Sequence, residues 1–266
     1  MNDSQTTSLY RIDELPFDPK SEIFLHYPAF KLGVTASVRH YAHLLLPVLK
    51  KRIETESGWV MTSPALASQT PAAANLLCWE LFDLYKRDGN SKKLRVIDIR
   101  YDNEATASID YAKLDLAERV TARRRLSSRL LPDPGFQERP VVFINDICVT
   151  GTQQRALQKY FDMVGAARVW WLYLIFVDPE IGKAQPELEW QINFAPFEEL
   201  LRLVSREEIQ FTGKCVLKLM QLSIAEFDEV LRALNRERRK RLLELALRNG
   251  FENMENFREH VKHLRG

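Results

Sequence analysis

Residues 141–153 read Val-Val-Phe-Ile-Asn-Asp-Ile-Cys-Val-Thr-Gly-Thr-Gln, and this stretch constrains the fold most tightly. An apolar run closes on a polar pair. A short bridge then leads to Thr-Gly ahead of a segment with helical spacing at 154–163. The pattern is that of a buried strand carrying Asn145 and Asp146 to its carboxyl end, where open α/β sheets bind ligands. Gly151 allows a ligand close to the backbone. Thr150 and Thr152 place hydroxyls beside the amides of 149–153, and a helix start with free N–H groups is a ready anion site. A polar pair for hydroxyls beside a nest for a phosphate suits a sugar phosphate. The plainer alternative is a strand-turn-helix with a threonine N-cap and a capping aspartate.

The surrounding pattern predicts more strands and helices in alternation. Residues 36–53 carry Val38, Tyr41, Leu44, Leu45, Val48 and Leu49 at helical spacing. A short strand is expected at 59–61, then a loop at 62–69. Thr70 and Pro71 read as N-cap and first residue of a helix to about Arg87. Further strands are expected at 94–99, 140–144 and 169–177, and a basic helix at 113–130 ends at Pro132, Pro134 and Gly135. Residues 1–8 are polar and read as loose. Strands alternating with helices imply an α/β fold, a parallel sheet flanked by helices. After Pro186 the pattern shifts to short elements. Residues 223–264 read as two or three helices broken near Asn249-Gly250. The expected division is an α/β domain over 1–209 and a helical C-terminal appendage over 210–266.

Composition excludes several classes. At 45% hydrophobic residues the 266-residue chain can bury a sizeable core. A net charge of +2 argues neither for nor against nucleic acid. The longest apolar run, 169–177, is well short of the ~20 residues of a membrane span. Cys78, Cys148 and Cys215 form neither a disulfide framework nor a zinc knuckle. No membrane partner and a cytoplasmic location are the expectations.

The 141–153 run resembles the phosphoribosyl-diphosphate (PRPP) loop of type I phosphoribosyltransferases: an apolar strand, two acids, three loose positions, Thr-Gly, any residue, then Thr or Ser. Asp146, Thr150 and Gly151 match; Asn145 stands in place of the first acid and Gln153 in place of the last hydroxyl. Tyr-Ala-Lys-Leu at 111–114, with arginines downstream, looks most like the ComF-like branch. The resemblance implies a phosphoribosyltransferase-like parallel sheet with a hood that selects the acceptor. It implies an enzyme that moves a phosphoribosyl group to or from a nitrogenous base. Asn145 and Asp146 would hold the ribose hydroxyls, and Val149, Thr150, Gly151, Thr152 and Gln153 the 5′-phosphate. Ser63, at the end of the 59–61 strand, would stand by the diphosphate. Lys113, Arg123 and Arg124 would lie on a mobile loop that closes over it. Mg2+ is the implied cofactor, held mainly by substrate oxygens and water rather than by a protein cage. A homodimer is compatible with this reading. An asparagine can bond a hydroxyl but lacks the charge that would stabilise a cation-like sugar, so the departures bear on catalysis more than on binding. Val149 stands where purine-salvage members carry a basic Asp, which disfavours a hypoxanthine/guanine-type mechanism.

Two other classes stay open. One is a non-catalytic regulator that senses PRPP or a nucleotide and touches nucleic acid, to which Arg232, Arg236, Arg238, Arg239, Lys240 and Arg241 would contribute. The favoured reading of that segment is instead a packed amphipathic helix with a wet face. The other is a subunit of a nucleoside-modifying stress-response pathway. His40 and His43 share a helix side, but no third ligand lies near them in sequence. Cys148 lies beside a helix start that would lower its pKa, though a small filler is the better reading.

Overall fold

The computed structural model describes residues 5–16, 22–54, 57–66, 70–89, 94–101, 117–118, 121, 129–206 and 208–266. Strand β1 (Thr6–Ile12) opens the chain, followed by helices α1 (Glu22–Leu25), α2 (Tyr27–Leu32) and α3 (Thr35–Ile53). Next come β2 (Trp59–Thr62), α4 (Ala73–Arg87), β3 (Leu94–Val96), β4 (Pro140–Cys148), α5 (Thr152–Met163) and β5 (Arg168–Val177). The remainder is helical: α6 (Pro179–Ala184), α7 (Leu188–Ile192), α8 (Phe197–Val204), α9 (Gly213–Met220), α10 (Ile224–Ala233), α11 (Arg236–Arg248) and α12 (Arg258–Arg265).

Among the described residues five strands pair in the order β1-β5-β4-β2-β3. Every pairing is parallel. Parallel sheets need both faces covered, and the side chains of β5 divide accordingly. Trp170, Leu172 and Leu174 pack with α3 and α4 residues such as Tyr41, Leu45, Leu77 and Leu81. Val169, Trp171 and Tyr173 pack on the other face with Phe136, Phe143 and α5 residues Leu157 and Phe161. A third cluster joins one side of α2 (Ala29, Leu32) to α8–α12. It gathers residues from both sides of position 210.

The structure corrects several expectations. Residues 6–8 of the segment read as loose belong instead to Thr6–Ile12, an edge strand in register with Trp171–Val177, while 1–4 lie outside the described residues. Strand β4 runs past residue 144 to Cys148, because Ile147 and Cys148 still pair with Ile175 and Phe176. Asn145 and Asp146 therefore lie inside a strand. Helix α4 begins at Ala73, not at Pro71, because the Asn75 side chain accepts the Ala72 N–H at 2.7 Å and sets the cap there. Helix α5 starts at Thr152, with Gly151 at its N-cap. Strand β3 ends at Val96, although Ile97 N–H still bonds Met61 O at 3.1 Å. Residues 122–128 of the expected basic helix, and most of 102–120, lie outside the described residues. The break near Asn249-Gly250 is present, with Gly250 at φ +70°.

Candidate functional site

Side chains on a strand alternate, so Asn145 and Asp146 point to opposite faces of the sheet and meet different elements. Asn145 Nδ2 donates to Gln153 Oε1 at 3.1 Å, at the start of α5. The two positions that depart from the PRPP-loop pattern are therefore hydrogen-bonded to each other. Asp146 Oδ1 accepts the Ile147 N–H at 2.9 Å, and Oδ2 is paired with the Lys31 ammonium from α2. Both residues are buried.

The loop after β4 is short because Gly151 takes the left-handed conformation, φ +67°, in which a side chain would be strained. It turns the chain straight into α5, where Arg155 N–H bonds Gly151 O at 3.0 Å. The Thr150 and Thr152 hydroxyls lie 2.9 Å apart, and Arg155 donates to Thr152 at 3.3 Å. Helix α6 lies against this loop so closely that a Cβ on Gly182 would fall 1.9 Å from the Val149 carbonyl oxygen. The loop from Val149 to Thr152 is buried.

Gln154 ties the elements together. Its Oε1 accepts from Tyr173 Oη at 3.4 Å and contacts Cys148 Sγ at 3.8 Å, and its Nε2 donates to Thr6 on β1 at 3.4 Å. Burial pushes the Cys148 thiol up to about 11, outweighing the Gly151 backbone, Tyr173 and Arg155, which pull it down. The helix start does not activate it. Burial likewise raises the Tyr27 phenol well above its ordinary value, with the charges of Asp146 and Glu189 adding to the effect.

Of the other sequence-derived candidates, Ser63 is buried and its hydroxyl accepts from Asn75 Nδ2 at 2.9 Å. It is committed to the start of α4. Lys113, Arg123 and Arg124 lie outside the described residues. His40 lies beside His26, ring centroids 4.6 Å apart and planes tilted by 48°, and no group of three or more His, Cys, Asp or Glu able to hold a metal occurs among the described residues. In α11, Arg238 and Arg239 donate to the carbonyls of Val204 and Leu234, and Arg241 pairs with Glu244. Among the described residues no helix is long and apolar enough to cross a membrane.

Sequence reasoning missed Lys31, Tyr27, Asn75, Gln154 and Gly182. Only Gln154, next to the motif, carried a local signal; the rest depend on contacts distant in sequence.

No curated protein matches the sequence. Solved phosphoribosyltransferase structures match in part. An asparagine mutant from an analysis of an invariant aspartic acid in HPRTs is 12% identical, with 57% of this chain and 67% of that chain covered and a TM-score of 0.29. A hypoxanthine phosphoribosyl transferase of Trypanosoma cruzi is 11% identical, with coverage of 59% and 67% and a TM-score of 0.28. The ComF-like phosphoribosyltransferase family model, by contrast, matches residues 4–264, nearly the whole length. The chain belongs to the ComF-like phosphoribosyltransferase family.

Proposed function

We propose that this protein binds PRPP or a related ribose phosphate at the β4–α5 turn and transfers the phosphoribosyl group to or from a nitrogenous base. One observation carries the reading. Asp146 on β4 is followed within a few residues by a left-handed Gly151 and two hydroxyls 2.9 Å apart, at the start of a 12-residue helix. That order offers acceptors for sugar hydroxyls and then donors for a phosphate. We assign the ligand site to residues 1–209 and a bracing role to 210–266.

In this mechanism Asp146 holds the ribose hydroxyls, the backbone and hydroxyls of 149–153 hold the 5′-phosphate, and Asn145, on the other face of β4, steadies that loop through Gln153. The bond from the sugar C1 to diphosphate breaks as the C1–N bond to the base forms. The sugar is cation-like in between, and Asp146 lies beside it with its charge shared with Lys31. Lys113, Arg123 and Arg124 are assigned to the departing diphosphate by their place in the sequence. The donor set around Asp146 does not fit a protein-held Mg2+. One carboxylate oxygen is on an ammonium, the other on an amide N–H, and the neighbouring side chain is a neutral amide bonded to Gln153.

The Asn145–Gln153 bond favours a second reading, a regulator that binds the ribose phosphate without turnover, because an amide stands where charge would aid the chemistry. Calorimetric titration with PRPP on wild type and Asp146→Ala tests the site. Binding that weakens at least about tenfold, or about 1.4 kcal/mol, in the variant is expected, and equal binding overturns the assignment. Release of diphosphate on incubation with a panel of bases then separates enzyme from sensor.

A further inference from the structure

Lys31 comes from a part of the chain where the sequence suggested no ligand, yet it is the side chain that sits on Asp146. The lysine and aspartate side chains are 15% and 9% exposed, so bulk water screens their attraction far less than at an open surface. Helix α2 presents Tyr27 and Lys31 one turn apart, with the ammonium 5.9 Å from the Tyr27 ring centroid.

The backbone beneath Lys31 is fixed by the C-terminal region. Its carbonyl accepts the Thr212 hydroxyl at 2.7 Å. Two residues on, Gly33 is left-handed at φ +92°, and a Cβ there would lie 1.8 Å from the Gln210 carbonyl. Gly33 O in turn accepts the Gln210 N–H at 2.9 Å. A lysine with an anchored backbone and its side chain drawn onto a buried carboxylate is a built positive charge.

Two adjacent acids would repel an incoming diphosphate unless it arrived with a divalent cation on its own oxygens. Here one acid is the neutral Asn145, and the other, Asp146, is balanced by the Lys31 ammonium. We propose that Lys31 does at this site what a divalent cation would do: it holds the anionic part of a sugar phosphate beside Asp146, so the ligand binds without Mg2+. Lysine suits the task, being a compact point charge that binds phosphate. The inference rests on the ribose-phosphate reading above and deepens it.

The test is calorimetric titration of PRPP into the full chain, once in EDTA and once in excess Mg2+. The wild-type affinity is expected to agree within about threefold between the two conditions, less than the tenfold that 1.4 kcal/mol represents. In EDTA, Lys31→Gln, which can still hydrogen-bond Asp146, is expected to lose about tenfold or more, while Lys31→Arg stays within about threefold of wild type. Wild-type binding that disappears in EDTA overturns the inference and leaves the ribose-phosphate site standing; so does a folded Lys31→Gln that binds like wild type in EDTA. The metal dependence of the wild type decides the matter even if Lys31→Gln does not fold. No binding of PRPP under either condition removes the site and this inference together.

Discussion

Two strand-to-helix connections leave the same edge of the parallel sheet, and they hold their shape by different means. Between β2 and α4, the Asn75 side chain reaches back to Ser63, Pro64 O and Ala72 N–H at 2.7–2.9 Å, and Thr70 accepts from Asn249 of the C-terminal region at 3.0 Å. Between β4 and α5 only residues 149–151 intervene, turned by a left-handed glycine and closed by a pair of hydroxyls. In the first, polar side chains serve the fold. In the second, a left-handed glycine makes the turn, and the hydroxyls bond each other, the Thr152 N–H and Arg155, all within the turn and the first turn of α5. The polar side chains of the first connection reach across to other elements, whereas those of the second stay local to the turn, which is why we read the second as the ligand loop.

The largest expected effect breaks the first connection. Asn75→Ala removes three hydrogen bonds and is expected to cost about 2–4 kcal/mol in urea unfolding. PRPP affinity of the folded protein should stay at the wild-type level; an affinity loss without a stability loss would reverse the roles of the two connections. Gly182→Ala strikes the second by forcing α6 off the Val149 carbonyl. A cost of about 1–3 kcal/mol is expected, now with weakened PRPP binding, and unaltered binding would show that the loop does not touch the ligand.

A smaller change sharpens the picture at the departures from the family pattern. Asn145→Asp combined with Gln153→Thr restores acid and hydroxyl together and removes both ends of the 3.1 Å bond. If charge at the sugar is what limits turnover, diphosphate release should rise about tenfold, or about 1.4 kcal/mol in barrier. A flat rate would favour the sensor. The smallest effect is at Cys148, whose thiol is raised to about 11. A raised pKa keeps it a neutral thiol across pH 7–9, so native protein should resist iodoacetamide there and label after unfolding. Rapid native labelling at pH 7 would mean that the loop opens.

The elements legible in the sequence were those whose residues face one environment along their length. Strand β5 is apolar on both faces, and α3 and α5 repeat at helical spacing, so each could be read alone. Strand β1 could not. It is a half-exposed edge of Thr, Ser and Tyr, and it is a strand only because β5 lies beside it. The site divides in the same way. Asp146, Thr150 and Gly151 lie within six consecutive positions and carry their own pattern, and Asn145 and Gln153 stood out as departures. That those two residues bond each other depends on the turn. Lys31 is 115 residues from Asp146, and nothing in Tyr-Pro-Ala-Phe-Lys-Leu marks its lysine as a partner.

The bond from Thr212 to the Lys31 carbonyl bears on the order in which a growing chain matures. Lys31 is synthesised before Asp146, and Asp146 before Thr212. At about 5–20 residues per second the sheet can pair on the ribosome seconds before its brace emerges. During that interval α2 has neither Thr212 nor Gln210 behind it, and Asp146 lacks an anchored counter-charge. The Lys31–Asp146 pair thus gains its brace only after residue 212 has emerged, so products truncated before it would carry the motif without the geometry.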